Sequence, residues 1–222
     1  MAEIYQVHPE TPQKEKIEKI KKSLQAGAIM LYPTDTVYAI GCDLNVKSAV
    51  ERVRQIKHLS NDKPLTFLCP SLSNIAQYAV VSDSGYRMIK RLIPGPYTFL
   101  LPATKLVPRL VMEPKRKTTG IRVPDQKFCL ALLEALGNPI ISTSAHITND
   151  DEGKAPAAAL ATEENFGKAE LFDSLEKLVD IIVDDTSETG YQVSTILDLT
   201  QDKPSIVRRG LGWEAVANWA EE

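Results

Sequence analysis

The sequence has no long apolar run. Its best stretch, around Ala28 to Tyr32, falls far short of the roughly 20 residues that a membrane-spanning helix needs. No membrane partner is therefore expected. The opening MAEIYQVHPE has no basic segment followed by an apolar one, so no secretory signal is read there. Cysteine is scarce: Cys42, Cys69 and Cys129 are far apart, odd in number and never in a CxxC pair. That pattern excludes a disulfide or zinc framework and fits reduced thiols in a cytoplasmic protein. His8, His58 and His146 stand at no metal-ligand spacing. Charge of one sign is lacking too. Lys+Arg 26 against Asp+Glu 29 gives a net charge of -3, which excludes a chain that binds nucleic acid by its overall field and leaves only a local basic patch. No GxxxxGK[ST] loop and no GxSxG elbow occur. Gly210, Gly212 and Ala215 match G-x-G-x-x-A, but the ten residues after Gly212 are too few for the strand and acidic residue of a dinucleotide site.

What is present is an ordinary globular composition, 43% hydrophobic and 25% charged over 222 residues. It fits one domain over residues 1–222 better than two small ones. Ile17, Ile20 and Leu24 recur at helical spacing between Pro12 and Gly27. Val46, Ala49, Val50, Val53 and Ile56 mark a second amphipathic helix ending in a basic tip at Lys57 and His58. Asp83 to Leu92 reads as a capped helix, and Asp125 is placed to cap another that carries Phe128, Leu132, Leu133 and Leu136, with Gly137 closing it. AIMLYPTD, PLTFLC, PGPYTFLLPA, TTGIRVP, NPIISTSAH, VDIIVDD, VSTILDLT and PSIVRRG read as strands. Strands interleaved with helices imply an α/β sheet. The consecutive strands near the C-terminus make part of it antiparallel. The most flexible-looking stretch is Thr148 to Ala159, and the segment Thr186 to Gln192 is also polar.

Three features could carry chemistry. In NPIISTSAH an apolar run ends in Ser142, Thr143 and Ser144, followed by His146. Ligands of open α/β sheets sit beyond strand ends, and hydroxyls there can donate to phosphate; the same residues also commonly just turn the chain. YPTDTVYAIGC sets Thr34, Asp35, Thr36 and Tyr38 beside a strand end, as a site or as a polar turn with Asp35 as a cap. Lys57, Lys63, Arg122, Arg208 and Arg209 are cations beside strand or helix ends, and most such residues are solvated. Arg122 stands apart because an apolar strand surrounds it, where an unpaired charge is costly.

Taken in order, YPTDTVYAIGC, Ile56-Lys57 shortly before PLTFLC, PGPYTFLLPA, TTGIRVPD, PIISTSAH, VSTILDLT and VRRG run from about residue 28 to 212. This order resembles the YrdC-like threonylcarbamoyl-AMP synthase family. The resemblance implies a twisted open mixed sheet with helices around a concave basic cavity, and no extra C-terminal domain. It implies an L-threonylcarbamoyladenylate synthase, a nucleotidyltransferase that joins ATP, L-threonine and bicarbonate into threonylcarbamoyl-AMP and diphosphate, with Mg²⁺, for modification of tRNA adenosine. By position, Lys57, Ser142, Ser144, His146 and Arg208 would line the nucleotide. Thr34, Tyr38, Arg122 and Ser194 would bind the substrate's amino-acid end, and Lys57 and Arg122 would be catalytic. Three departures bear on activity. The family's Lys-x-Arg reads Lys57-His58-Leu59 here, its Ser-x-Asn reads Ser144-Ala145-His146, and Leu68 stands where synthases often place histidine. That pattern resembles the YciO-type branch and implies reduced or altered activity. The alternative the resemblance leaves open is a protein that binds double-stranded RNA or tRNA without synthase activity, through Lys115, Arg116, Lys117 and Arg122. Only 6% of residues are aromatic, which gives little stacking surface for that role.

Overall fold

A computed structural model describes residues 1–59, 64–145, 167–187, 190, 192–201 and 203–219. Among them run β1 (Glu3–Gln6), α1 (Lys14–Gln25), β2 (Met30–Tyr32), β3 (Ala39–Asp43), α2 (Lys47–Ile56), β4 (Thr66–Leu68), α3 (Leu72–Tyr78) and α4 (Asp83–Leu92). Then come β5 (Tyr97–Pro102), β6 (Thr118–Arg122), α5 (Lys127–Leu136), β7 (Ile140–Ser144), α6 (Lys168–Leu175), β8 (Ile181–Asp184), β9 (Thr195–Asp198) and β10 (Ser205–Arg208). The strands form one open, twisted sheet in the order β1-β8-β2-β3-β7-β4-β6-β5-β9-β10. The sheet is mixed: β4 runs parallel to β6 and β5 to β9, whereas β7 is antiparallel to both its neighbours. As expected near the C-terminus, β9 and β10 pair antiparallel.

The helices form where apolar residues recur on one face. α1 buries Ile17, Ile20 and Leu24. α2 buries Ala49, Val50 and Val53, and also Arg54, whose Nη1 donates to the Leu110 carbonyl at 3.0 Å. The cap expected from Asp125 falls one residue later. The Gln126 side chain accepts from the Cys129 amide at 3.0 Å, and Gly137, at φ 76°, ends α5 in the left-handed conformation that glycine adopts without penalty. At α4 the cap is Ser82, which accepts from the Gly85 amide at 3.1 Å. The reading of 148–159 as flexible falls outside the described residues.

Strand pleating sorts side chains between two faces. One face carries Phe67, Phe99, Ile121, Ile141 and Leu197, each fully buried in the larger core cluster with Val53 of α2, Ile75 of α3 and Ile89 of α4. The other face is covered by α1 and α5, which pack on Met30, Tyr32, Ala39, Leu68 and Ile140. That second layer runs from β1 and β8 across β2, β3 and β7 and ends at β4. Further along the same face, the pleat of β7, β4, β6, β5 and β9 lines a cavity instead.

Candidate functional site

The cavity holds about 250 Å³. Its floor follows the two-residue period of five adjacent strands: Ser142 and Ser144 from β7, Thr66 and Leu68 from β4, Gly120 and Arg122 from β6, Thr98 and Leu100 from β5, then Ser194 and Ile196 at β9. Register aligns them, since Thr66 lies between Ser142 and Gly120, and Gly120 opposite Leu100. Thr34, Thr36 and Val37 form one wall and Arg208 from β10 the other. The polar lining among the described residues is therefore hydroxyl and guanidinium, with no carboxylate. Such a surface suits an anion.

Arg122 is 7% exposed at the end of β6. Its Nη1 donates to Thr36 Oγ1 at 2.9 Å and its Nη2 to Asp35 Oδ1 at 2.5 Å. Asp35 is thus not a helix cap. It neutralises the buried cation that the apolar setting of TTGIRVP made conspicuous. Asp35 Oδ2 and Arg122 Nε are buried without a hydrogen-bond partner among the described residues. Thr34 stabilises the same turn: its hydroxyl accepts from the Thr36 amide at 3.1 Å and donates to the Val37 carbonyl at 2.6 Å. The segment is a hydrogen-bonded turn, and its Thr34 and Thr36 also line the cavity.

Burial pushes the Tyr32 hydroxyl pKa well above its ordinary value, so Tyr32 keeps its proton and donates it to Ser142 Oγ at 2.6 Å. The proton of Ser142 itself is left to donate elsewhere. At the opposite wall Arg208 places Nε and Nη2 on the Ser194 carbonyl at 3.1 and 2.8 Å, and Nη2 also reaches Ser194 Oγ at 3.2 Å. Ser194 Oγ lies 2.9 Å from Thr98 Oγ1. Gly210 lets this wall close, because a Cβ there would stand 2.6 Å from the Ser194 carbonyl oxygen.

Of the residues expected at a site, Thr34, Arg122, Ser142, Ser144, Ser194 and Arg208 come together around this cavity. Tyr38 does not line it. Its ring is 3% exposed and meets Phe172 of α6 edge-on at 5.4 Å, with Lys168 Nζ 5.8 Å above it. Among the described residues its hydroxyl has no hydrogen-bond partner, and burial, then the charges of Asp185 and Asp184, push its pKa far up. Lys57 does not line the cavity either; it is the half-buried C-cap of α2. Leu59, in the place of the family arginine, packs against the larger core. His146 and Lys63 lie outside the described residues. Thr36, named with the polar turn, lines the cavity too, and Thr66 and Thr98 line it and were missed. The alternation of Thr66 with Phe67, and of Thr98 with Phe99, is the signal that could have found them.

The expected basic cluster also separates. Lys115, Arg116 and Lys117 are exposed before β6 begins, and Arg116 Nη1 lies 3.4 Å from Asp198. Arg122, at the far end of that strand, is about 17 Å from Lys117 at the usual rise per residue and buried. The four cations do not form one patch. Among the described residues no helix is long and apolar enough to cross a membrane. The three cysteines are buried and free.

The family model described as "Telomere recombination", for the Sua5/YciO/YrdC domain, matches residues 22–210. A protein of Haemophilus influenzae described only as uncharacterized is 40% identical over 96% of this chain and 97% of its own length. The crystal structure of Escherichia coli YciO superposes with a TM-score of 0.83 at 37% identity, over 96% of this chain and 97% of that one. The structure of Pyrococcus abyssi Sua5 complexed with L-threonine matches at a TM-score of 0.78 and 28% identity, over 94% of this chain and 58% of that one. The threonylcarbamoyl-AMP synthase of the same organism is 31% identical over 89% of this chain and 56% of its own length. The fold, the ordered motifs and these likenesses agree: the chain belongs to the Sua5/YciO/YrdC family.

Proposed function

We propose that the protein binds L-threonine and a nucleotide in the five-strand cavity and acts as a slow or altered L-threonylcarbamoyladenylate synthase. The observation that carries this reading is the lining itself: among the described residues, two guanidinium groups and a row of hydroxyls on one sheet face with no carboxylate. The likeness to a Sua5 that holds L-threonine supports the amino-acid half.

In this reading the threonine amine attacks bicarbonate carbon and water leaves, giving a carbamate. The carbamate oxygen then attacks the α-phosphorus of ATP, and the bond to the β-phosphate breaks to release diphosphate. Both partners are anions, so the protein's task is to bring them together in a site of fixed dipoles. Ser142, its oxygen already occupied by Tyr32, donates to a carboxylate or phosphate. Arg122, fixed by Asp35 and Thr36, supplies positive potential, but both its Nη atoms are already engaged. Arg208 and Ser194 hold the far wall.

Slowness follows from Leu59. A leucine packed on the core supplies no cation where the family motif has arginine, and one missing electrostatic donor typically costs about 10²–10³ in rate. Mg²⁺ fares differently from ATP and threonine. Among the described residues no group of three His, Cys, Asp or Glu side chains could hold a metal, so those residues offer no cage of their own for it. The test is incubation with ATP, L-threonine and bicarbonate, following threonylcarbamoyl-AMP and diphosphate, with threonine and ATP binding measured by calorimetry in parallel. Binding without turnover retains the site and removes the activity. Absence of both removes the reading.

A further inference from the structure

We infer that α4 and Trp219 form a second site, separate from the cavity, for a phosphate carried on a flat aromatic base, that is, one nucleotide unit. α4 sets Ser84, Arg87, Met88 and Arg91 at helical offsets of three, four and seven, hence on one face. Trp219 closes the groove they line, which holds about 220 Å³. That is below the roughly 300–1,000 Å³ of pockets that engulf a drug-sized ligand, so the groove takes one small unit and leaves the rest of a longer ligand in solvent.

The chemistry is that of an anion with a ring. Among the described residues five line the groove; two are arginines and none is acidic. Among the described residues neither Arg87 nor Arg91 forms an ion pair. This local excess stands out on a chain of net charge -3. Trp219 is 42% exposed, an unusual place for the largest side chain, and Arg91 Cζ lies 5.8 Å from its ring centroid. A guanidinium at the edge of cation–π range and an open indole together form a platform for a base. Arg87 and the Ser84 hydroxyl lie one helical turn apart on the same face, placed to donate to its phosphate.

A free mononucleotide and a single-stranded RNA present the same unit, so the test uses both. Trp213→Phe leaves Trp219 as the sole tryptophan of the full-length chain, and its fluorescence is titrated with AMP, inorganic phosphate and an eight-residue oligouridylate. The expected result is quenching by AMP or the oligonucleotide but not by inorganic phosphate. Arg87→Ala should weaken it about tenfold or more, and Arg208→Ala at the cavity wall should not. AMP as the stronger quencher assigns a mononucleotide; an oligonucleotide whose affinity falls steeply with salt assigns a strand. Arg87→Gln keeps the helix face and serves if Arg87→Ala melts early. Quenching unchanged in both Arg87 variants, equal loss in Arg208→Ala, or no quenching by AMP or oligonucleotide at about 10 mM, far weaker than a useful site, overturns the inference.

Discussion

Arg122 and Asp35 meet at 2.5 Å across 87 residues of sequence, with side chains only 8% and 10% exposed. Removing one partner leaves an uncompensated buried charge, and the loss is typically about 3–5 kcal/mol. Asp35→Ala should therefore lower the unfolding free energy measured by urea titration by that much, whereas Asp35→Asn, which keeps an acceptor for Arg122, should lower it less. Equal stability of Asp35→Ala and the parent protein would mean the pair contributes nothing to folding.

Gly120 lies in the cavity floor between Thr66 and Leu100. A Cβ there would stand 3.3 Å from Thr66 Oγ1 and 3.5 Å from Thr98 Cγ2, tight but tolerable. Gly120→Ala is expected to keep thermal stability within about 1 kcal/mol, as small volume changes do. It should weaken threonine or ATP binding about tenfold, because the methyl occupies ligand space. Calorimetry on the variant decides, and unchanged affinity would place the ligand elsewhere.

Lys57 caps α2 and does not line the cavity. Its charge complements the helix C-terminus, an effect of about 0.3–1 kcal/mol. Lys57→Ala should lower thermal stability by that amount and leave nucleotide affinity alone. A tenfold loss of ATP affinity with unchanged melting would return Lys57 to the binding machinery.

Burial pushes the Cys42 and Cys69 thiols up to about 12. The folded protein then holds their protons between pH 9 and 12, where the unfolded chain releases them. The unfolded state binds fewer protons in that window, so stability falls as pH rises through it. Below pH 9 the two thiols add no pH dependence. A thiol reagent at pH 8 should find none of the three cysteines in native protein and all three after unfolding. Rapid labelling of the native chain would contradict their burial.

Leu59→Arg restores the cation of the family motif at the cost of a core contact, about 1–2 kcal/mol for a half-buried side chain. Paired with His146→Asn it should raise threonylcarbamoyl-AMP formation, and by more than either change alone if both groups act on one transition state. A folded double variant with no gain would show that the cavity has diverged beyond these two positions.

Strong periodicity was readable. α1, α2, α4 and α5 and most of the strands come from apolar spacing, because burial on one face writes itself into sequence. α3 buries only Ile75 and α6 only Leu171 and Leu175, too few apolar anchors to show a period. β1 buries one residue of four and was not read as a strand. β3 is buried throughout, from Ala39 to Asp43, so it has no alternation and merged with the polar turn before it. At the site, the hydroxyl triplet of β7 and the buried Arg122 were visible locally. The partner of Arg122 was not, because pairing across 87 residues leaves no local mark. The second layer was equally hidden: that α1 and α5 stop short of β6 and β5 is a matter of packing, and it is what leaves the cavity open.

The position of β8 has a consequence for how the chain is made. β8 lies between β1 and β2 and pairs with both, so the first strand has no neighbour until residue 181 has been synthesised. At about 5–20 residues per second that wait is on the order of 10–40 s. Throughout it the nascent chain carries the free edges of β1 and β2, with Ile4 and Met30 in them, which invite pairing with other chains. The cavity is later still, since its far wall arrives only with Ser194 and Arg208. A ribosome-bound chain stopped before β8 would therefore be a client for chaperones and could bind no substrate.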